Sequence, residues 1–220
     1  MKAPVTIRRW RPSKSLPQKL AFTFLTLLLG FGMEMLAQFL GSLSPKDIPS
    51  WLRFFDIVSF FSVLLPWAFA ALVISLFSRT PIRAAINVLA LFCGMLLGFL
   101  LYCGVFLHTV PNWDFLSSRL ILTAVAPLIA AVCWYGRGVG TVAGFIAAFI
   151  IAYYFLQAFH FTPTFAGFGV NWTYSFVPLV LLAAAIGMLW RRPLQTLFST
   201  LGGFALAYIY VLLPFSIPFI

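Results

Sequence analysis

Acidic residues are almost absent from this chain. Its 220 residues include only 4 Asp and Glu, and charged residues of both signs make up 8% of the sequence. Soluble domains carry about 25% charged residues on average. The shortage of charge excludes an ordinary soluble domain. Together with 63% hydrophobic residues and a mean hydropathy of +1.05, it indicates a protein that lies in a lipid bilayer.

Cysteine and histidine are also scarce. The three cysteines, Cys93, Cys103 and Cys133, lie in apolar stretches and are interpreted as small core residues. Their spacing, and that of His108 and His160, does not resemble a zinc site. The sequence also has no glycine-rich phosphate loop and no nucleophile elbow. We therefore predict no metal, no cofactor and no enzymatic activity.

Long apolar stretches take up most of the chain. A transmembrane helix needs about 20 mainly apolar residues to cross a hydrocarbon core about 30 Å thick. Helices are expected because open strands would leave backbone groups unpaired in lipid. The predicted fold is therefore an all-α integral membrane protein with about seven transmembrane helices. These approximate spans are 20–40, 54–77, 84–107, 116–135, 139–160, 173–190 and 194–213.

The basic residues indicate the orientation of these spans. Many of them fall at alternate ends of the spans, namely Lys2, Arg8, Arg9, Arg11, Lys14, Lys19, Arg79, Arg83, Arg137, Arg191 and Arg192. The opposite ends receive only Lys46, Arg53 and Arg119. By the positive-inside rule, the N-terminus is predicted to be cytoplasmic and the C-terminus outside. The net charge of +10 is therefore an orientation signal, and we predict no nucleic-acid partner.

The chain divides into three predicted regions. Residues 1–19 form a basic cytoplasmic segment, residues 20–213 a single transmembrane helical domain, and residues 214–220 a short outer tail.

A spacing of proline and arginine suggests an internal repeat. Pro66 precedes Arg79 and Pro81 by the same intervals that separate Pro178 from Arg191 and Pro193. This pattern predicts a lead helix followed by three helical hairpins of the same orientation. The hairpins would cover 54–107, 116–160 and 173–213. The alternative is convergence, because positive-inside turns favour arginine and turns favour proline.

Glycines at four-residue spacing indicate where helices pack closely. Gly94 and Gly98 lie in the third predicted span, and Gly140 and Gly144 lead into the fifth. Small residues at this spacing allow two helix backbones to approach each other in a membrane. We therefore predict helix packing at these four positions.

Glu34 is the main candidate for a functional site, since it interrupts the first apolar span. A charged residue at the bilayer centre costs about 2.5–3.5 kcal/mol on insertion scales, so Glu34 must be protonated, paired or in contact with a wet cavity. Gln38 lies one helical turn further on, on the same face. Other ionisable residues also lie toward the predicted outer face. The predicted ligand, proton or cation site therefore consists of Glu34, Gln38, Asp56, Arg119, His108 and His160.

A purely structural interpretation of these residues remains open. Glu34 pairs with Arg119 or Arg53 in this alternative, and Asp56 complements the dipole of a helix N-terminus. His108 and His160 are then ordinary residues of the membrane interface. The functional interpretation also uses prolines, because Pro66, Pro127 and Pro178 are expected to interrupt helices and free backbone carbonyls inside the membrane.

The leading functional hypothesis is a small transporter or a membrane-embedded substrate-binding subunit with an outward-facing polar site. The alternative is a noncatalytic assembly subunit of a membrane complex, and an intramembrane enzyme is the least favoured class. Expected partners are the lipid bilayer, a small-molecule ligand, and another membrane protein or a second copy of this chain. The size and span count are similar to those of small bacterial multi-pass proteins, so the expected location is the bacterial cytoplasmic membrane.

Overall fold

The computed structural model describes residue 8 and residues 15–44, 48–50, 54, 56–109, 111–161, 168–170 and 176–213. The predicted outer tail and most of the predicted cytoplasmic segment lie outside these residues. The described chain is helical apart from one short antiparallel sheet. Its helices are α1 (Leu16–Ser42), α2 (Ile57–Ser62), α3 (Leu65–Phe77), α4 (Pro81–Tyr102), α5 (Trp113–Gly136), α6 (Thr141–Ala158), α7 (Val177–Leu189) and α8 (Pro193–Leu212). Its strands are β1 (Phe159–Phe161) and β2 (Phe168–Val170).

Within the described residues, five helices are long and apolar enough to cross a membrane. They are α1, α5, α6, α8 and α4, the last of which continues into the π-helical turn Cys103–Leu107. The predicted span 54–77 contains two short helices, α2 of 6 residues and α3 of 13 residues. The predicted span 173–190 contains α7, of 13 residues.

Prolines explain why α3 and α7 are short. Pro66 and Pro178 are the second residues of these helices, where the missing backbone N–H has no partner to lose. Pro178 therefore starts a helix, whereas Pro66 also follows a break, because residues 63–64 separate α2 from α3 within the predicted span 54–77. Pro127 does lie inside a helix, α5. Proline also occupies the first position of α4 and of α8.

The chain forms two compact units. The N-terminal unit contains α1, α4 and all but the last two residues of α5, within Trp10–Ile48 and Ala70–Trp134. The C-terminal unit contains α2, the sheet, α6, α7 and α8, mainly within Pro49–Phe69 and Tyr135–Ile220. Helix α3 has residues in both.

Helices α1 and α4 of the N-terminal unit pack in parallel. Thr23 near the start of α1 bonds to Asn87 near the start of α4, and Ser42 at the end of α1 bonds to Tyr102 at the end of α4. The chain must therefore return from the end of α1 to the start of α4 within residues 43–80. The return covers about 33 Å, the length of a helix of 22 residues like α4.

Helix α5 runs in the opposite direction within the same unit. Arg119, in its second turn, reaches Glu34 in the later half of α1. At the other end of α5, Trp134 is fully buried and donates to the carbonyl of Ser78, just before α4 begins. Helices α1 and α4 therefore run in one direction and α5 runs in the other. These directions agree with the predicted alternation of the spans.

Helices α6 and α8 of the C-terminal unit form a second parallel pair. Gln195 donates to the carbonyl of Gly138 at 3.3 Å, and Ser199 donates to that of Gly144 at 3.1 Å. Further along, a Cβ atom at Gly203 would lie 3.0 Å from the carbonyl oxygen of Ala148. The chain therefore returns between these two helices within residues 159–192, which include α7.

The predicted packing glycines have different roles. Gly94 and Gly98 of α4 lie against the backbone of α1, and Gly144 of α6 lies against Ser199 of α8. Gly140 has a φ of +99° and no atom within 4 Å of an added Cβ. Glycine is favoured at position 140 by the backbone conformation of the turn before α6, because L-residues rarely adopt a positive φ.

Candidate functional site

Glu34 lies on the face of α1 that packs against α4. The buried residues Thr26, Gly30 and Glu34 are spaced by four and therefore share one helix face. On α4, a Cβ atom added at Gly98 would lie 3.1 Å from Glu34 Cβ and 2.9 Å from the carbonyl oxygen of Phe31. Glycine at position 98 thus leaves the space that the Glu34 side chain needs. Glu34 is 0% exposed as a result.

The two carboxylate oxygens of Glu34 have different surroundings. Arg119 Nη1 donates to Oε1 at 2.6 Å, and Gln38 Nε2 donates to the same oxygen at 2.8 Å. Oε2 is buried and has no hydrogen-bond partner among the residues that the structure describes. A buried acceptor without a donor costs about 1–3 kcal/mol. The site therefore holds an unused acceptor beside a formed ion pair.

Two aromatic rings hold Arg119 in place. Its guanidinium carbon lies 4.6 Å from the ring centroid of Phe99 and 4.5 Å from that of Phe115. A guanidinium can stack on aromatic faces while its N–H groups donate in its own plane to a carboxylate. The side chain of Arg119 is 20% exposed, whereas that of Glu34 is 1% exposed. The arginine is thus the accessible member of the pair.

Hydrogen bonds between α1 and α4 fix the helices on both sides of Glu34. Thr23 Oγ1 donates to Asn87 Oδ1 at 2.8 Å, and Tyr102 OH donates to Ser42 Oγ at 3.0 Å. Such bonds between membrane helices contribute about 0.6 kcal/mol on average. They restrict sliding of α1 along α4, which would move the carboxylate away from Arg119.

The structure brings together three of the predicted site residues, Glu34, Gln38 and Arg119. Asp56 belongs to the C-terminal unit. It precedes α2 with a φ of +46°, and its Oδ1 accepts a hydrogen bond from Ser59 at 2.8 Å. This position at a helix start is the one expected for Asp56 in the structural interpretation.

The two histidines lie just beyond the C-terminal ends of helical segments. His108 follows the π-helical turn with a φ of +50°, and it is exposed. His160 is the central residue of β1, where its backbone pairs with Gly169. The side chain of His160 lies outside the described part of the structure, so its predicted role stays a prediction.

Two residues of the site, Phe99 and Phe115, are not among those predicted from the sequence. Phe115 precedes Arg119 by four residues, a spacing that places both on one face of a helix and that can be recognised in a sequence. Phe99 follows Gly98 on a different helix, and no local pattern relates it to Arg119. Its role depends on how α4 and α5 pack.

No protein-family model, curated protein or solved structure matches this chain. Among the residues that the structure describes, no group of three or more His, Cys, Asp or Glu side chains is placed to hold a metal ion. Inferences about function therefore depend on the geometry and chemistry of the site itself.

Proposed function

We propose that this protein is a small transporter or membrane-embedded substrate-binding subunit of the cell membrane, with its ligand or ion site at Glu34. The observation that carries the proposal is the buried, unpartnered Oε2 atom beside an oxygen that already has two donors. Ionisable residues inside membrane helices are costly and usually serve a pathway or a site. A bound cation, a proton or a ligand N–H or O–H group would satisfy this acceptor.

The accessibility of Arg119 supports the same proposal. The arginine side chain keeps 20% of its surface exposed, whereas the carboxylate side chain is 1% exposed. A ligand can therefore approach the pair along the guanidinium. Phe99 and Phe115 provide apolar walls beside it, as in many small-molecule sites.

We also propose that the chain crosses the membrane seven times and that its N-terminus is cytoplasmic. The parallel pairs α1–α4 and α6–α8 support it, because each pair requires the intervening chain to return to the side from which it started. Helices α3 and α7 lie within those returning segments. The outward opening of the site then follows from the position of Glu34 in the later half of α1.

The test measures ligand-dependent stability of purified protein in mild detergent. We expect wild-type protein to gain thermal stability from one member of a set comprising sodium ions, potassium ions and small primary amines. Glu34→Gln removes the negative charge with little change in shape and should abolish that gain. Gln38→Ala removes one donor and should weaken the gain. Equal stabilisation of wild type and Glu34→Gln by every compound would contradict the proposal.

A noncatalytic assembly subunit is the second candidate, favoured by small residues on exposed helix surfaces. Gly32 of α1 and Gly187 of α7 have no atom within 4 Å of an added Cβ, and Ala183 lies one turn before Gly187 on an exposed face. Small residues at this spacing are typical of contacts between membrane helices. Co-purification of a second membrane protein, lost in Gly187→Leu but retained in Glu34→Gln, would favour this function.

A further inference from the structure

A groove runs between the parallel helices α6 and α8 of the C-terminal unit. Its volume is about 1000 Å³. Small residues form its floor, including Gly144, Ala148 and Gly202. Phe145, Phe149 and Phe198 form its sides and are 63%, 63% and 70% exposed. In a membrane, such an apolar groove opens toward the lipid chains.

One end of the groove is basic. Arg192 and Gln195 line it where α8 begins, and the neighbouring Arg191 donates from Nε to the carbonyl of Arg137 at 3.0 Å. Residues 115–220 contain no Asp or Glu. No acidic side chain of this stretch can therefore neutralise Arg191 or Arg192. The charge at this end therefore favours an anionic ligand.

The helix starts add to this positive potential. Both α6 and α8 begin at the basic end, and neither has an acidic residue in its first turn. The N-terminus of a helix carries about half a positive charge from aligned peptide dipoles. Two such ends beside Arg192 increase the attraction for a phosphate group.

The groove is long enough to hold a lipid chain. Its lining on α8 extends from Arg192 to Ile209, which is about 25 Å at 1.5 Å per residue. One leaflet occupies about half of the 30 Å hydrocarbon core. An acyl chain can thus lie along the groove while its headgroup stays at the basic end.

We propose that this groove binds an anionic phospholipid, with one acyl chain along the glycine and alanine floor and the phosphate against Arg192. A free phosphate ion would leave the apolar groove unused. A second copy of this chain would bring the same arginines to the contact, and their repulsion would oppose binding. Basic pockets between membrane helices on the cytoplasmic side are a known form of anionic-lipid site.

The experiment uses the full chain, purified in mild detergent and stripped of lipid. Native mass spectrometry and thermal unfolding are measured with phosphatidylglycerol, with phosphatidylcholine of identical acyl chains, and with inorganic phosphate. We expect phosphatidylglycerol to bind as a discrete adduct and to raise the melting temperature most. Arg192→Gln should weaken its preferential binding about fivefold. Arg191→Gln, which removes a charge outside the groove lining, should have a smaller effect.

A second pair of variants tests the groove itself. Ala205 is an exposed groove residue of α8, so Ala205→Trp fills the groove without disturbing the buried packing. Leu201 is 58% exposed and does not line the groove, so Leu201→Trp is the matched control. We expect Ala205→Trp alone to reduce lipid binding.

Several results would overturn the proposal. Equal binding of the two lipids would remove the role of charge, and equal effects of the two arginine variants would indicate a diffuse basic surface. Stabilisation by inorganic phosphate alone would identify a soluble-anion site. Equal effects of the two tryptophan variants would show that the acyl chain lies elsewhere, and dimerisation that competes with lipid would identify a second copy as the occupant.

Discussion

Glu34 lies at the contact between α1 and α4, in space left by the missing side chain of Gly98. Its ion pair with Arg119 is unequal, because the carboxylate side chain is 1% exposed and the arginine side chain 20% exposed. Removing one partner of a buried ion pair leaves the other charge uncompensated. The cost of that removal depends on which charge remains and on what else can stabilise it.

The two single variants at this pair should therefore differ in stability. In Glu34→Gln, Arg119 keeps its contacts with two aromatic rings and some exposure, so we expect a loss of roughly 1 kcal/mol. In Arg119→Gln, a fully buried carboxylate loses its cation, and the loss should approach about 3–5 kcal/mol. Denaturation of both variants and of the double variant measures the coupling.

The same cycle can contradict the proposed function. Large and equal losses in both single variants, almost fully relieved in the double variant, would identify an ion pair with a structural role only. Retained folding of Glu34→Gln, combined with loss of ligand-dependent stabilisation, is the expected outcome.

Part of this site could be predicted at the level of single residues. Glu34 and Gln38 are four residues apart, so their shared face follows from helix geometry. Arg119 was one of two predicted partners for Glu34, the other being Arg53. The unpartnered state of Oε2 could not be predicted, because it depends on the positions of side chains from three helices.

At the scale of helices, glycine determines how closely α1 and α4 pack. A Cβ atom at Gly30 would collide with the carbonyl oxygen of Leu91, and one at Gly94 with that of Leu27. Both collisions are with backbone, which cannot move aside without separating the helices. Gly32, on the opposite face of α1, has no atom within 4 Å of an added Cβ.

Alanine substitutions should distinguish glycines that pack against backbone from glycines on the exposed face. Gly94→Ala should destabilise the protein by about 1–3 kcal/mol, since the added methyl group overpacks the contact. Gly32→Ala is the matched control and should be neutral or slightly stabilising, because alanine favours helix formation by about 1 kcal/mol over glycine. Thermal unfolding in detergent measures both. Equal melting temperatures for the two variants would contradict the close packing of α1 on α4.

The sequence predicted the helices better than their boundaries. Apolar composition marks a stretch that lies in lipid, but it does not locate the first hydrogen-bonded turn. In 173–190 and in the second half of 54–77, that position is marked by Pro178 and Pro66, because proline fits a first turn. A proline in an apolar stretch can mark a break in a helix or the start of one. Which of the two occurs depends on the surrounding fold.

At the scale of the whole chain, the predicted direction of the spans depends on the positions of basic residues. Basic residues at alternate ends of the apolar stretches predicted spans of alternating direction. The parallel pairs α1–α4 and α6–α8 are consistent with that alternation. Which helices pair was not predictable, because the repeat suggested hairpins of consecutive helices. The pairs depend on close packing between helices, above all the contact of Gly94 with α1 and of Gly203 with α6.

Labelling of single cysteines tests the proposed membrane topology. The background is a chain in which Cys93, Cys103 and Cys133 are replaced by alanine, and the reagent is a thiol label that does not cross membranes. If the returning segments 43–80 and 159–192 each cross the bilayer, intact cells should be labelled at Ser44→Cys and Asn112→Cys. Thr80→Cys and Trp190→Cys should react only after the cells are opened, because each precedes a helix that starts on the cytoplasmic side.

External labelling at position 80 would show that the segment containing α3 does not cross the bilayer. External labelling at position 190 would show that the segment containing α7 does not cross. Labelling of opened cells at all four positions is the control for thiol accessibility.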